Sequence, residues 1–395
     1  MSRKRRRSPI LLRRYIPESP APVSLGAAPR ILVVKLASLG DMLLTTPALR
    51  ALAHRYPDAQ IDVLATEQSA DLIRRSPYVR SVYTLDKYAF DYPRQFVSHP
   101  WRLIPVIRLL AAMRRGHYDA IILAHHLTLL FGRLKYRALA GLIGARLTVG
   151  LDNGHGAYMD LRVPDHGFGA AHEAEYALRL AAVLDAPLNE EQRSLCASDL
   201  GWYMPAPPVS ETVRVALHPG SGVYSVARRW PADRFAALAR YLHRQVQAEI
   251  IVLAGAGEDD ICQQILEQSA HPEWMTCQKA ETTEALARAL STCHLLVAND
   301  SFPMHLAVAL NVPVVAIFGP SNHEAWGPWT GQPGMATVVR RDDLACSPCI
   351  YRGHALGTPQ GCPPRPCLTG LSQRLVERAA LSALERRTER ASQVE

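Results

Sequence analysis

Residues 31–36, Ile-Leu-Val-Val-Lys-Leu, form a near-continuous apolar run, and Leu44, Ala48, Leu49 and Leu52 then return at intervals of three and four. The unbroken run suits a strand buried on both faces of a parallel sheet, and the later spacing suits a helix with one apolar face. The alternation continues with strands expected at 61–65, 79–85, 120–124 and 146–149, and helices at 69–75, 103–114 and 130–142. A helix over 178–184 closes the series. Pro205, Pro207 and Pro208 mark a stretch of weak periodicity, after which a second series begins. Its strands are expected at 213–217, 249–254, 294–298 and 314–318, and its helices at 234–244, 259–267, 283–290 and 304–310. Strands alternating with helices of this length specify parallel βαβ crossovers.

The pattern therefore predicts an α/β protein of two Rossmann-like domains whose parallel sheets face each other across a cleft. Residues 1–29 read as a basic, Pro/Ala-rich tail, 30–195 as a first, N-terminal Rossmann-like domain and 196–212 as a linker. Residues 213–370 read as a second, C-terminal Rossmann-like domain, with a cysteine-rich loop at 346–367, and 371–395 as a terminal helix and tail. A length of 395 residues suits two domains, each large enough to own a core.

Charge changes the picture only at one end. The formal net charge is +8, and residues 1–14 carry +7 of it through Arg3, Lys4, Arg5, Arg6, Arg7, Arg13 and Arg14. The remaining chain is nearly neutral, which argues against a nucleic-acid partner. A short basic arm suits an anionic membrane surface or, equally, a solvated tail. No run of 18 apolar residues is present, so a spanning helix is not expected. A cytoplasmic location is expected, with peripheral attachment to the membrane as one of the two readings of the basic arm. In such a reducing compartment cysteines are expected as thiols or metal ligands.

Four loops at strand ends carry candidate chemistry. Asp41 follows Gly40 at the first strand–helix turn, either as a helix cap or as a carboxylate that removes a proton from a hydroxyl. The loop His218-Pro219-Gly220-Ser221-Gly222 precedes Arg228 and Arg229; its N–H groups, the Ser221 hydroxyl and a guanidinium suit a diphosphate. Asp300 and Ser301 open a helix bearing His305, where free N–H groups favour an anion and Asp300 suits sugar or ribose hydroxyls. Ser321 and Asn322 follow the next strand as nucleotide contacts. Neither a Walker motif nor a dinucleotide fingerprint is present.

Taken together, the stretches 31–41 with Pro47, 218–220, 228–231, 299–307 and 312–320 resemble the lipopolysaccharide heptosyltransferase family, the ninth glycosyltransferase family. The resemblance implies metal-independent, inverting transfer of a sugar, heptose in the family, from an ADP-sugar to a saccharide or lipid-linked saccharide acceptor. It casts Asp41 as the catalytic base. It places Arg228 where the family usually has lysine, and Asp300 with the following helix start at the donor. Phe302 stands where a glycine is usual and would reshape the donor site. Two other classes share the fold: a nucleotide-sugar-binding scaffold without turnover, and a nucleotide-sugar epimerase.

The eight cysteines divide into two groups. Cys346 and Cys349, then Cys362 and Cys367, form two pairs within 22 residues of a loop rich in Gly and Pro. Their spacing suggests a structural tetrathiolate site for zinc, with an iron–sulfur cluster or unligated thiols as alternatives. Cys196, Cys262, Cys277 and Cys293 are expected as ordinary thiols.

Overall fold

The computed structural model describes residues 18–86, 101, 103–187, 193–202, 212–222 and 224–394. The first half is a six-stranded parallel sheet in the order β3-β2-β1-β4-β5-β6. Its strands are β1 (Arg30–Lys35), β2 (Gln60–Ala65), β3 (Ser81–Thr84), β4 (Ala120–Leu123), β5 (Leu147–Asp152) and β6 (Leu161–Pro164). The helices are α1 (Leu39–Leu43), α2 (Thr46–Arg55), α3 (Glu67–Ile73), α4 (Leu103–Arg114), α5 (Leu130–Ile143) and α6 (Glu173–Ala182).

The second half repeats the plan in the order β12-β11-β10-β7-β8-β9. Here the strands are β7 (Arg214–His218), β8 (Glu249–Ala254), β9 (Met275–Lys279), β10 (Leu295–Asn299), β11 (Val314–Ile317) and β12 (Ala336–Val339). Its helices are α7 (Ala232–Val246), α8 (Asp259–Gln268), α9 (Thr283–Ser291), α10 (Phe302–Ala309), α11 (His323–Trp326), α12 (Pro366–Thr369) and α13 (Gln373–Val394). Two doubly wound sheets are thus present, as the apolar pattern predicts. No helix among the described residues is long and apolar enough to cross a membrane.

The central strands β1 and β10 are buried along nearly their whole length, which is why their apolar runs are so legible. Helix α7 lays Phe235, Leu238 and Leu242 against the second sheet, where Trp230 packs edge-on to Phe235. Each of these fully buried side chains contributes roughly 1.5–3 kcal/mol. Helix α13 packs on α7 and β10–β12, so it belongs to the second half.

Residues 196–200 likewise belong to the first half, because Asp199 is fully buried there and pairs with Arg50 on α2 at 2.6 Å. Removing either partner would leave a buried charge without its counter-ion.

The cysteines depart from expectation twice. Cys262 on α8 and Cys277 on β9 are joined in a disulfide, because neighbouring elements bring their Cα atoms to 6.2 Å, inside the range a disulfide spans. The tetrathiolate site is not formed: among the described residues no group of three or more His, Cys, Asp or Glu could hold a metal ion. Cys346, Cys349 and Cys362 are exposed, whereas α12 carries Cys367 into the core.

Protein contacts hold this loop instead. The N–H groups of Cys349 and Ile350 both donate to Pro320 O at 2.8 Å, and Ser347 Oγ donates to Gly319 O at 2.8 Å. Ile350 is fully buried.

Candidate active site

Ser38, after β1, caps α1 and forms a reciprocal pair with Asp41 one turn later. The Ser38 hydroxyl and N–H donate to Asp41 Oδ2 at 2.6 and 3.2 Å. Asp41 therefore does complete a cap, but with one oxygen only. Its Oδ1 accepts the indole N–H of Trp326, from the end of α11, at 3.0 Å. Burial pushes the Asp41 carboxyl up, but the Lys35 charge, the Ser38 hydroxyl and the Trp326 indole together hold it below the ordinary aspartate range. It is ionised at neutral pH.

Helix α1 lies against α10 at the cleft floor. A Cβ on Gly40 would come within 3.2 Å of the His305 ring, so glycine permits this approach. His305 is buried and its Nδ1 has no hydrogen-bond partner. Burial lowers it to about 4, with Asp300 and Asp41 pulling the other way; it is a neutral imidazole between the two carboxylates.

Asp300 is tied to Arg228 by an ion pair at 3.2 Å, and Arg228 also donates to Ser221 O at 2.6 Å. The Arg228 Nε is buried without a partner. Its guanidinium lies 5.9 Å from the ring centre of Tyr224.

The glycine loop after β7 has a tenant that the sequence reading missed. Glu258 accepts the N–H groups of Ser221 and Gly222 at 2.8 and 2.9 Å, and that of Gly255 at 3.1 Å. His218 and Arg229 flank the same carboxylate at 3.3 and 3.2 Å. Burial pushes Glu258 up, but His218 and these N–H donors bring it down to about 2. A Cβ on Gly220 would collide with this carboxylate, so glycine lets Glu258 occupy the loop.

The N–H groups expected to meet phosphate are thus already engaged, and Ser221 and Arg229 organise the loop. Ser301 begins α10 without a side-chain cap, its hydroxyl turned to His218 Nδ1 at 3.1 Å. The helix start is left open to an anion. Phe302, its first residue, is half-buried against the core.

Ser321 is buried with an unpartnered hydroxyl. Asn322 is fully engaged: it caps α11 through Glu324 N–H and donates to Phe168 O and Tyr351 O at 3.1 and 3.0 Å. It fastens the two halves together. Phe168 N–H also donates to Gly353 O at 2.7 Å, so the cysteine-rich loop reaches across the cleft.

That loop brings Tyr351 into an aromatic cluster, 4.4 Å from Trp326 and 5.3 Å from Phe168 between ring centres. The sequence gives Trp326, Phe168 and Tyr351 no role: Trp326 ends the one-turn helix α11, and the other two lie in irregular segments with no motif.

Behind Asp41 runs a buried ionic chain. Lys35 Nζ donates to Ala124 O at 3.1 Å and lies 4.0 Å from Glu173, which meets His126 Nε2 at 2.9 Å. His126 Nδ1 lies 2.9 Å from Asp165. Burial alone would lower His126, but Glu173 and Asp165 raise it to about 9. Burial opposes ionisation of Asp165 too, yet His126, His354 and the Gly167 N–H hold it well below the carboxylate range.

Two halves, one presenting the Asp41 carboxylate and the other the Arg228 guanidinium beside an uncapped helix start, fit transfer between two substrates. The family model for glycosyltransferase family 9 (heptosyltransferase) matches residues 106–358. This chain belongs to glycosyltransferase family 9. The family 9 chain is 26% identical over 310 residues to lipopolysaccharide heptosyltransferase 3 of Escherichia coli, covering 74% of this chain and 84% of the relative. Its structure is similar to that of a family 9 glycosyl transferase from Veillonella parvula, at a TM-score of 0.66 and 25% identity, covering 91% of this chain and 97% of the other. The fold is also shared with E. coli heptosyltransferase WaaC with ADP, at a TM-score of 0.65 and 19% identity over 89% and 99% of the two chains. The family 9 chain is therefore a glycosyltransferase enzyme with two Rossmann-like domains.

Proposed function

We propose that this glycosyltransferase moves a heptose-type sugar from an ADP-sugar to a saccharide or lipid-linked saccharide acceptor of cell-surface glycan synthesis, with inversion. The observation that carries the reading is the placement of Asp41 across the α1–α10 contact from the Arg228–Asp300 pair. Relatives named as lipopolysaccharide heptosyltransferases support the sugar, and the neighbour with ADP supports the nucleotide.

In this reading Asp41 takes the proton of the acceptor hydroxyl as it attacks the anomeric carbon from the face opposite the diphosphate. Negative charge on the departing diphosphate is met by Arg228 and the open start of α10. Asp300 orients Arg228 and receives hydroxyls of the donor, and the unpartnered Ser321 hydroxyl is available as a further hydrogen-bonding group. Neutral His305 supplies a hydrogen-bonding ring between the two sides. Ser221, Arg229, Ser301 and Asn322 shape the site, and positive potential comes from the protein itself.

The direct test incubates the purified full chain with ADP-heptose, or with other nucleotide sugars, and a truncated core saccharide, following product by mass spectrometry. Transfer of a sugar to the acceptor, lost in Asp41→Asn, is expected. Binding of every donor without transfer would favour a scaffold role instead. The basic arm of residues 1–14, expected to meet an anionic membrane, lies outside the described residues; its role is proposed on charge alone.

A further inference from the structure

Helices α4 and α5 pack side by side on one face of the first sheet, and their outer faces are apolar. Met113 is the one residue of α4 that is fully covered. Trp101 just before it, with Ile104 and Ile107, stands open to solvent, Trp101 and Ile107 at 60% exposure. Along α5, Leu130, Leu134, Ala138 and Leu142 recur every four residues as an exposed stripe, with Leu130 at 69%. Leu129 and Phe131 widen it. Such a contiguous patch is not explained by the scatter of single apolar residues on ordinary surfaces.

Helix stability does not account for it either. Leu129 occupies the N-cap position of α5 with no side-chain bond to the helix start, where Ser, Thr, Asp or Asn would be favoured by about 1 kcal/mol. The turn is nonetheless held in place, because Arg133 donates from Nε and Nη2 to Leu127 O and Thr128 O at 2.8 and 2.6 Å.

The surrounding charge has one sign. Between residues 101 and 146 the sequence holds eight Arg or Lys and a single acid, Asp119. Asp119 is engaged with the N–H of Arg30 at the opposite edge of the sheet. Arg108, Arg114, Arg115 and Arg137 are exposed beside the apolar stripe. Arg114 also donates to Leu142 O at 2.9 Å and ties the far ends of the helices together.

Both are crossover helices between parallel strands, so both start at the carboxyl edge of the sheet, where Asp41 lies. The residues Trp101, Ile104, Leu129 and Leu130 are therefore at the cleft end of the patch.

We propose that the α4–α5 face docks this enzyme on an anionic lipid bilayer, with the apolar stripe entering the headgroup boundary and the arginines meeting lipid phosphates. An apolar face flanked by basic side chains is the chemistry of an interfacial helix pair, and each basic residue near such a surface strengthens its attraction to anionic lipid. A second protein chain would need acidic counter-charges over the whole patch, whereas anionic lipid supplies them everywhere. The dock turns the mouth of the acceptor half toward the membrane. The proposal is separate from the basic arm and from the identity of the sugar.

The test measures partition of the full chain onto vesicles of phosphatidylglycerol and phosphatidylcholine, with pure phosphatidylcholine as reference. Partition at least about tenfold stronger onto the anionic vesicles is expected. Leu130→Glu/Leu134→Glu and, separately, Ile104→Glu/Ile107→Glu should each weaken it about tenfold or more. All four side chains are exposed, so unchanged melting curves and unchanged donor hydrolysis should confirm that the variants fold. Deletion of residues 2–14 is the parallel arm. Full-strength binding by both double variants, with loss confined to the deletion, overturns the proposal. So does sedimentation showing that the substitutions turn an oligomer into monomers without altering vesicle partition.

Discussion

The indole N–H of Trp326 points at Asp41 Oδ1 from 3.0 Å across the cleft, while Ser38 holds the other oxygen. A carboxylate gripped from both sides is ionised but weakly basic. Replacing Trp326 by Phe keeps most of the aromatic packing and removes the donor. Asp41 should then rise in pKa, so the acid limb of the kcat/KM profile should move to higher pH. An unmoved limb would show that the indole does not govern this carboxylate.

Asp41→Asn retains the size and polar character of the side chain and cannot take a proton. Transfer at saturating donor and acceptor should fall by about 10²–10⁴-fold, the usual scale for a positioned base. Circular dichroism should show the fold intact. A loss of less than about threefold would remove Asp41 from the chemistry.

The two adjacent arginines are separated by their partners. Arg228 faces Asp300, and Arg229 faces Glu258 and Ser221. Arg228→Ala should weaken binding of a nucleoside diphosphate more than binding of the parent nucleoside, read by titration calorimetry. Arg229→Ala should lower the melting temperature and weaken both ligands alike. Equal losses for both ligands in Arg228→Ala would argue against a phosphate contact.

His126 gives a stability prediction with a defined sign. Its folded value is raised to about 9 from an ordinary 6.5, so the protonated ring stabilises the fold fully below about pH 6.5. That contribution is lost as pH rises through about 9. Urea midpoints should fall between pH 6.5 and 9.5, and His126→Gln should flatten the decline. The variant should also be less stable at pH 6.5, since Glu173 and Asp165 lose their shared cation.

Burial explains which parts of the fold were readable in advance. β1, β7, β10 and β11 are central and covered on both faces, so their residues are almost wholly apolar. β6, β9 and β12 are edge strands with mixed or exposed positions, and no apolar run announced them. Asp41, Arg228 and Asp300 were legible because strand ends in this architecture face the cleft. Glu258 was not, because its role depends on β7 and β8 lying side by side, 37 residues apart from Ser221. Trp326 and Tyr351 meet through the folding of the irregular stretches of the second half, and Phe168 joins them only when the two halves meet. The disulfide was hidden because it depends on how α8 packs beside the edge strand β9 within the second half, and the four clustered cysteines misled because nearness in sequence is not convergence in space.

The carboxylate of Glu258 inside the glycine loop has a consequence for where an anion settles. A loop with empty N–H groups would be a second positive well, competing with the start of α10 for the same diphosphate. Filled from within by Glu258, that well offers an incoming anion no free N–H at Ser221, Gly222 or Gly255. In the proposed binding mode, the diphosphate then has one favourable berth, beside Arg228 at the start of α10, and that single berth sets where the attached sugar lies along the cleft.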